Sequence, residues 1–141
     1  MILNNIKSFG RSLLIDIHGF EKNKRPPGYR DVELILGTNN LKSLFLEPIP
    51  KRRDWEENIR GKMIKRFLEL GVPIAPGHPR RKEYVLTGGY ITRIYGASNF
   101  SGSQTIQIEF SDKIRLYDKN LRTKVLIALA ELFLNDLAYL V

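Results

Sequence analysis

The sequence predicts an α/β domain in which a sheet is flanked by helices in three layers. Two short apolar runs rich in β-branched residues, at 13–20 (LLIDIHGF) and 105–110 (TIQIEF), have the composition of strands. A helical pattern at 54–70 and a long apolar segment at 120–140 supply helices. Because strands and helices alternate along 141 residues, we expect one three-layer α/β domain without a linker.

The first third of the chain is predicted to hold a short helix at 2–9 and two strands. The first strand is the run at 13–20, and the second is 32–36, which ends at the turn cluster Gly37-Thr38-Asn39-Asn40. A polar loop at 21–30 separates them, and Pro26-Pro27-Gly28 within it is a strong helix and strand breaker.

The clearest predicted helix is 54–70. Asp54 with Glu57 three residues later resembles a capping box, and Gly71 with Pro73 marks the end. Apolar residues repeat at helical spacing and predict one buried stripe, formed by Trp55, Ile59, Met63, Ile64, Phe67 and Leu68. Such a stripe indicates core packing and not a cofactor site.

The second half of the chain is expected to begin with a loop at 72–82 and a short strand at 83–86. Arg93 and Tyr95 follow Gly88-Gly89 and are interpreted as lying near a strand exit. The strand at 105–110 alternates, with isoleucines on one side and Gln107 and Glu109 on the other. The final helix at 120–140 is apolar on most sides, so we expect it to pack deep against the sheet.

The composition excludes several kinds of site. The chain has no cysteine, so disulfides and thiolate metal sites are excluded, and any metal must bind His, Asp, Glu or water. This fits a reducing, cytoplasmic location. The N-terminus is too polar for a signal peptide. The apolar segment 125–141 is interrupted by Glu131, Asn135 and Asp136, so we expect no membrane span.

The charge balance predicts an anionic partner. Lysine and arginine number 23 against 15 acids, a net charge of +8, which suits an acidic small molecule, a nucleic acid or a membrane surface. The basic clusters at 22–25, 51–53 and 80–82 lie in loop-like segments, where such side chains are commonly solvated. No nucleic-acid motif is present and no aromatic residue interleaves these clusters, so a nucleic-acid partner is not favoured.

His18 and Glu109 are the candidate functional residues, because each lies near the exit of a predicted strand. Ligands of α/β sheets gather beyond the carboxyl ends of strands. His18, oriented by Asp16 two residues earlier, could be a metal ligand or a proton carrier, or its ring could simply bond a backbone carbonyl. Glu109 could be a carboxylate base beside a metal-bound water, or a solvent-facing residue on an edge strand.

Four segments resemble, in order, the second half of the N-formylglutamate amidohydrolase family: LLIDIHG, DVELILGTNN, GGYITRIYG and QTIQIEFSDKIRLYD, which together reach from residue 13 to 118. The resemblance implies a zinc-carboxypeptidase-like (phosphorylase/hydrolase-like) fold, in which a mixed sheet is flanked by helices. It also implies a zinc-dependent hydrolase that cleaves an N-acyl amino acid or a related amide. It implies that His18 binds the metal, that Glu109 is catalytic and that Arg93 lines the substrate pocket. Arg25 and Arg30, beside prolines and glycine, could close over an acidic substrate or be solvated.

The chain departs from the family pattern because the segment that supplies the family's first two zinc ligands has no counterpart here. One histidine is insufficient, since catalytic zinc normally has three protein ligands. Three alternatives remain open. Glu21, at His-x-x-Glu spacing from His18, and His78 could complete the site within a possibly truncated domain. A second polypeptide could complete it. Alternatively the metal is lost, and the chain is a non-catalytic binding or structural module that assembles with itself or a partner.

Overall fold

A computed structural model describes residues 2–46 and 51–138, which form a four-stranded mixed open sheet with helices around it. The α/β class and the mixed sheet are confirmed. The strands are β1 (Ser12–Phe20), β2 (Leu34–Gly37), β3 (Ile74–Ala75) and β4 (Ser103–Ser111). The α-helices are α1 (Ile2–Phe9), α2 (Pro27–Arg30), α3 (Arg52–Glu56), α4 (Ile59–Glu69), α5 (Tyr90–Tyr95) and α6 (Lys119–Ala138), and a π-helical turn (Lys113–Tyr117) precedes α6.

The strand order is β1-β4-β2-β3, so β4 runs through the middle of the sheet and β1 lies at one edge. β1 is parallel to β4, whereas β2 is antiparallel to β4 and parallel to β3. Parallel pairing places the carboxyl ends of β1 and β4 at the same end of the sheet. There His18 is the register partner of Glu109, as Asp16 is of Gln107.

The two faces of β4 have opposite character. On one face Ile106, Ile108 and Phe110 join the main core with the buried side chains of α4 and α6. On the other face lie the buried polar residues Ser103, Thr105, Gln107, Glu109 and Ser111. The sheet therefore separates an apolar layer from a polar layer, and the polar layer contains the candidate residues.

A smaller apolar cluster covers part of the polar face. It consists of Phe20, Val32, Ile35 and Ala75, with Tyr29, Val85 and Leu86 packed against it. The short helix α5 also lies on this face, because its buried Thr92 approaches Thr105 of β4. Since Ile35 is the register partner of Glu109 on β2, this cluster borders the candidate carboxylate.

The prediction of one continuous helix at 54–70 is wrong, because the chain bends between α3 and α4. Asn58 and not Asp54 caps the long helix: its side chain accepts a hydrogen bond from Gly61 N at 2.9 Å and donates to Asp54 O at 2.6 Å. Glycine is required after the bend, since a Cβ at Gly61 would lie 2.3 Å from the carbonyl oxygen of Glu56. The hydrogen bonds with which Asn58 caps α4 are local. The close approach of Glu56 O to Gly61 depends on how α3 and α4 are oriented.

The segments between α4 and β4 also differ from the prediction. Residues 83–86 form no strand, while Ile74–Ala75 inside the predicted loop pairs with β2. Residues 90–95 form α5, so Arg93 and Tyr95 lie on a helix and not at a strand exit. Met63 and Phe67 are buried as predicted, whereas Trp55 is half-buried and Leu68 is 46% exposed.

Helix α6 packs on the sheet through one side only, so the prediction that it is deeply buried is wrong in part. Val125, Ala128 and Leu129 are in the core. Its outer side carries an exposed apolar stripe formed by Leu126, Ile127, Ala130 and Leu134. None of the helices within the described residues is both long enough and apolar enough to cross a membrane.

We expect Phe67→Ala to lower the free energy of unfolding by about 3–5 kcal/mol, because a fully buried aromatic ring is lost from the main core. Leu68→Ala, one residue away on the exposed side of α4, should change it by less than about 1 kcal/mol. Urea unfolding of the parent and both variants measures the difference. Equal losses in the two variants would contradict the orientation of α4.

Candidate functional site

The candidate site lies on the polar face of the sheet, near the carboxyl ends of β1 and β4. Alternation along each strand places Asp16 and His18 of β1 on the same face as Gln107 and Glu109 of β4. Asp16 is the register partner of Gln107, and His18 is the register partner of Glu109. The four side chains therefore form a compact group. The structure therefore brings together His18 and Glu109, the two residues that the sequence proposed for one site.

His18 is held by the acid that precedes it. Its Nε2 lies 3.0 Å from Oδ2 of Asp16, and its side chain is 47% exposed. Hydrogen bonding to one ring nitrogen fixes the ring and leaves the other nitrogen free for a ligand or a proton. Asp16 is thus placed for the orienting role that the sequence predicted.

Glu109 is fixed by a relay of hydrogen bonds from the backbone. Gly89 N donates to Oε1 of Gln107 at 2.7 Å, and Nε2 of Gln107 donates to Oε1 of Glu109 at 3.2 Å. Because the Gly89 bond sets which way the Gln107 amide points, its NH₂ group must face the carboxylate. Glu109 is only 9% exposed and lies in the central strand, not on an edge strand.

Burial raises the pKa of Glu109 above the ordinary glutamate value. The positive charges of His18 and Arg25 and the hydrogen bond from Gln107 act in the opposite direction. Burial also raises the pKa of the nearby Tyr29, with a further contribution from Glu109 and an opposing one from Arg25. Glu109 is therefore a carboxyl group that exchanges a proton closer to neutral pH than an exposed one does.

A polar pocket of about 480 Å³ opens just beyond the end of β1. Arg25 and Arg115 line it, beside Gly19 and Phe20. The guanidinium of Arg115 lies over Gly19, where a Cβ would be 2.6 Å from its Nε, and it donates to Phe20 O at 3.0 Å. A side chain at position 19 would therefore require the Arg115 guanidinium to move.

The loop that carries Arg25 is anchored to the end of β4 by a buried acid. Glu33 forms a close ion pair with Lys22 and accepts a hydrogen bond from the hydroxyl of Ser111. Its backbone carbonyl also accepts from Ser111 N at 2.9 Å. Arg25 itself packs over the ring of Tyr29, with Cζ 5.6 Å from the ring centroid. The guanidinium of Arg25 is therefore held between the pocket and Glu109.

The other residues that the sequence proposed are not all grouped with His18 and Glu109. Glu21 lines the pocket beyond β1, where it forms an ion pair with Lys24 at 2.8 Å, and His78 lines a separate pocket with Trp55. Arg93 is exposed on α5. The backbone of Arg30 ends α2, and its side chain lies outside the part of the chain that the structure describes.

The described residues alone do not group the donors that a catalytic zinc ion requires. Across residues 2–46 and 51–138, no three His, Asp or Glu side chains are grouped to hold a metal. His18 offers one free nitrogen. Of the two proposed additional ligands, Glu21 is paired with Lys24 in the pocket beyond β1, and His78 lines a different pocket. Three protein ligands are normal for catalytic zinc.

The structure adds three residues that the sequence did not assign to the site: Gln107, Tyr29 and Arg115. Gln107 shares the alternating face of β4 with Glu109, so strand periodicity could have placed it there. Tyr29 and Arg115 come from α2 and the π-helical turn, and only the tertiary structure brings them to the end of β1.

Comparison of the chain with models of protein families, with curated proteins and with solved structures finds no match. The resemblance to N-formylglutamate amidohydrolases therefore stays a prediction. What can be inferred about the site comes from its geometry.

We expect the free energy of unfolding to depend on the protonation of Glu109. A carboxyl whose pKa is higher in the folded than in the unfolded chain binds its proton more tightly when folded, so this contribution to stability is present at low pH. It is lost as pH rises from about 4.3, the ordinary glutamate value, through the folded pKa. Glu109→Gln should be more stable than the parent near pH 7, and this advantage should shrink toward pH 4.

Urea unfolding at several pH values measures this difference, with Glu57→Gln, which removes an exposed acid, as the control. A Glu109→Gln variant whose stability follows the parent's pH dependence throughout would contradict the raised pKa.

Proposed function

We propose that this chain carries the proton-transfer half of a metal-dependent hydrolase site for an N-acyl amino acid or a related amide. The observation that supports the proposal is the pairing of His18 with Glu109 on adjacent strands, beside a buried, hydrogen-bonded Gln107. A zinc-carboxypeptidase-like fold is part of the same proposal. The four-stranded mixed sheet with polar side chains at its carboxyl end supports it.

Glu109 is the proton carrier in this proposal. Amide hydrolysis needs a base that takes a proton from the attacking water and then delivers it to the leaving amine. A carboxyl group with a raised pKa performs both transfers more readily at neutral pH, and the Gln107 hydrogen bond keeps its oxygens in one orientation. The Asp16 contact keeps the His18 ring facing the same region.

Arg25 is the residue that we assign to the carboxylate of the substrate. It lines the pocket beyond β1 and also acts electrostatically on Glu109, so a substrate carboxylate bound there lies next to the base. Guanidinium groups bind carboxylates through paired, charge-assisted hydrogen bonds. Arg115 forms the opposite wall of the pocket. Arg30 and Arg93 remain further candidates for this role.

A zinc ion in this site would have His18 as one ligand and the remaining ligands from a second polypeptide. When bound, zinc polarises a carbonyl group and acidifies water. The second polypeptide could reach His18 along the outer edge of β1, which is the end of the sheet among the described strands. Unpaired strand edges are common sites of strand addition.

The isolated chain should therefore retain only a small fraction of one zinc ion after purification and should hydrolyse N-formylglutamate at a negligible rate. Titration with added zinc should show one weak site that is lost in His18→Ala and kept in His78→Ala, the matched histidine control. Zinc content, titration and melting temperature are measured together, because bound metal stabilises the folded state by mass action.

Two outcomes would contradict this proposal. Near-stoichiometric zinc in the purified parent that disappears in His18→Ala would show that the chain completes the site alone. An unchanged zinc titration in His18→Ala would remove His18 as a ligand.

The second candidate is a non-catalytic module that assembles with a second copy of itself, and the apolar stripe of α6 favours it. Leu126, Ile127 and Leu134 are 53%, 55% and 66% exposed, and contiguous apolar patches commonly mark interfaces. The exposed Lys124 and Glu131 flank the stripe two turns apart, and Glu131 also lies 3.8 Å from Nη2 of Arg66 in its own chain. Antiparallel packing of two α6 helices about a two-fold axis lets each Lys124 face Glu131 of the other copy.

This second candidate predicts a dimer at micromolar concentration, measured by sedimentation velocity. Ile127→Glu should yield a monomer because it places a charge in the middle of the apolar interface. Leu68→Glu, which adds the same charge on the exposed side of α4, should leave the dimer intact. A monomeric parent, or a dimer that survives Ile127→Glu, would contradict this candidate.

A further inference from the structure

A second pocket, far along the chain from the site described above, is formed where two of the three basic clusters meet. Its volume is about 690 Å³, within the range of small-molecule sites. Lys51 and Arg52, at the start of α3, line one part of it, and Arg80 and Arg81 line another. The fold thus joins cationic segments that are almost thirty residues apart in the sequence.

The pocket has an excess of positive charge. Among the described residues its lining contains four cations and no acid. Glu56 is the nearest acid with a recorded contact, and it lies 3.8 Å from Nε of Arg80. Lys51, Arg52 and Arg81 form no ion pair with any acid in the described part of the chain. Such a concave, positive surface concentrates anionic ligands.

The backbone of the pocket is rigid because a buried arginine holds it from behind. Arg60 donates to Pro79 O at 2.9 Å and to Arg81 O at 2.5 Å. His78 Nδ1 accepts a hydrogen bond from Arg80 N at 3.0 Å. Since a neutral imidazole that accepts at one nitrogen donates at the other, the Nε2 of His78 carries the N–H and adds a donor.

Trp55 supplies an aromatic surface between the cations. Its ring is half-buried and lines the pocket, and its centroid lies 5.9 Å from Cζ of Arg60. Bases stack on such rings, with a contribution of about 1–3 kcal/mol per base. The fold therefore places an aromatic residue among the basic clusters, although Trp55 does not interleave them in the sequence.

We propose that this pocket binds a nucleotide, with the phosphates on Lys51, Arg52, Arg80 and Arg81 and the base against Trp55. The proposal combines two features that a simple anion would not require together. One is a set of four cations, three of which form no ion pair among the described residues, and the other is an aromatic ring that lines the same open pocket. It is independent of the hydrolase site, because its residues are shared with no part of the His18–Glu109 group.

The test uses the fluorescence of Trp55, which is the single tryptophan of the chain and so reports on this pocket alone. ADP should quench it to saturation, with an affinity that falls as salt is raised, because the phosphate contacts are electrostatic. Pyrophosphate, which has no ring, should compete with ADP, and adenosine, which has no phosphate, should bind much more weakly than ADP.

Variants separate the two halves of the ligand. Arg52→Ala and Arg81→Ala should each weaken ADP binding about tenfold, the loss expected for one charge-assisted contact. Arg53→Ala and Lys82→Ala remove the same charge from neighbouring residues outside the pocket and should change it by less than about twofold. By calorimetry, Trp55→Ala should lose ADP affinity while pyrophosphate binding is retained.

Three outcomes would overturn the proposal. The first is no quenching by ADP at millimolar concentration. The second is an equal loss of affinity in all four charge variants, which would indicate general electrostatic attraction. The third is a single-stranded oligonucleotide that binds much more tightly than ADP and depends on the same residues, which would assign the pocket to nucleic acid.

Discussion

The buried ion pair between Arg60 and Glu83 organises the loops on one side of the molecule. Both side chains are completely buried, and Nε of Arg60 lies 2.9 Å from Oε2 of Glu83. Desolvation lowers the pKa of Arg60, and the negative charge of Glu83 opposes this effect. Loss of either partner would leave an uncompensated charge in the interior, which typically costs about 3–5 kcal/mol. The ion pair therefore restricts the positions of the backbone segments that Arg60 and Glu83 contact.

Glu83 extends this constraint to the loop after β2. Its Oε1 accepts from Thr38 N at 2.9 Å and from Asn40 N at 3.0 Å. Three consecutive residues of this loop, Asn39, Asn40 and Leu41, have positive φ angles of 53°, 52° and 71°. Non-glycine residues rarely adopt this conformation. The Glu83 hydrogen bonds and the complete burial of Leu41 offset the cost of these positive φ angles. One ion pair thus links α4, this loop and the nucleotide pocket.

Periodicity in the sequence predicted the parts of the molecule that depend on local patterns. The residues at 105–110 alternate in polarity because one face of the strand meets the core and the other carries Gln107 and Glu109. The structure has both of these faces. The helix at 2–9 has the expected bounds. The placement of His18 at the end of a strand could also be predicted, because a strand that ends in a histidine and a glycine has few other geometries.

Long-range contacts could not be predicted in this way. Arg60 and Glu83 are charged residues in segments of different structure, and only folding shows that they neutralise each other in the interior. The meeting of Trp55 with two basic clusters depends on the same fold. The break between α3 and α4 depends on a steric contact at Gly61. In each of these cases the deciding contact follows no regular spacing in the sequence, so periodicity could not predict it.

The opposite faces of β4 also determine how the sequence can change. A one-residue insertion within Ser103–Ser111 would exchange the two faces beyond it, moving Gln107 and Glu109 into the hydrocarbon layer and Ile106 and Ile108 out of it. Because the strand lies between two others, such an exchange would disturb the packing on both sides of the sheet. An insertion within these nine residues is therefore expected to cost more stability than an insertion in a loop outside them.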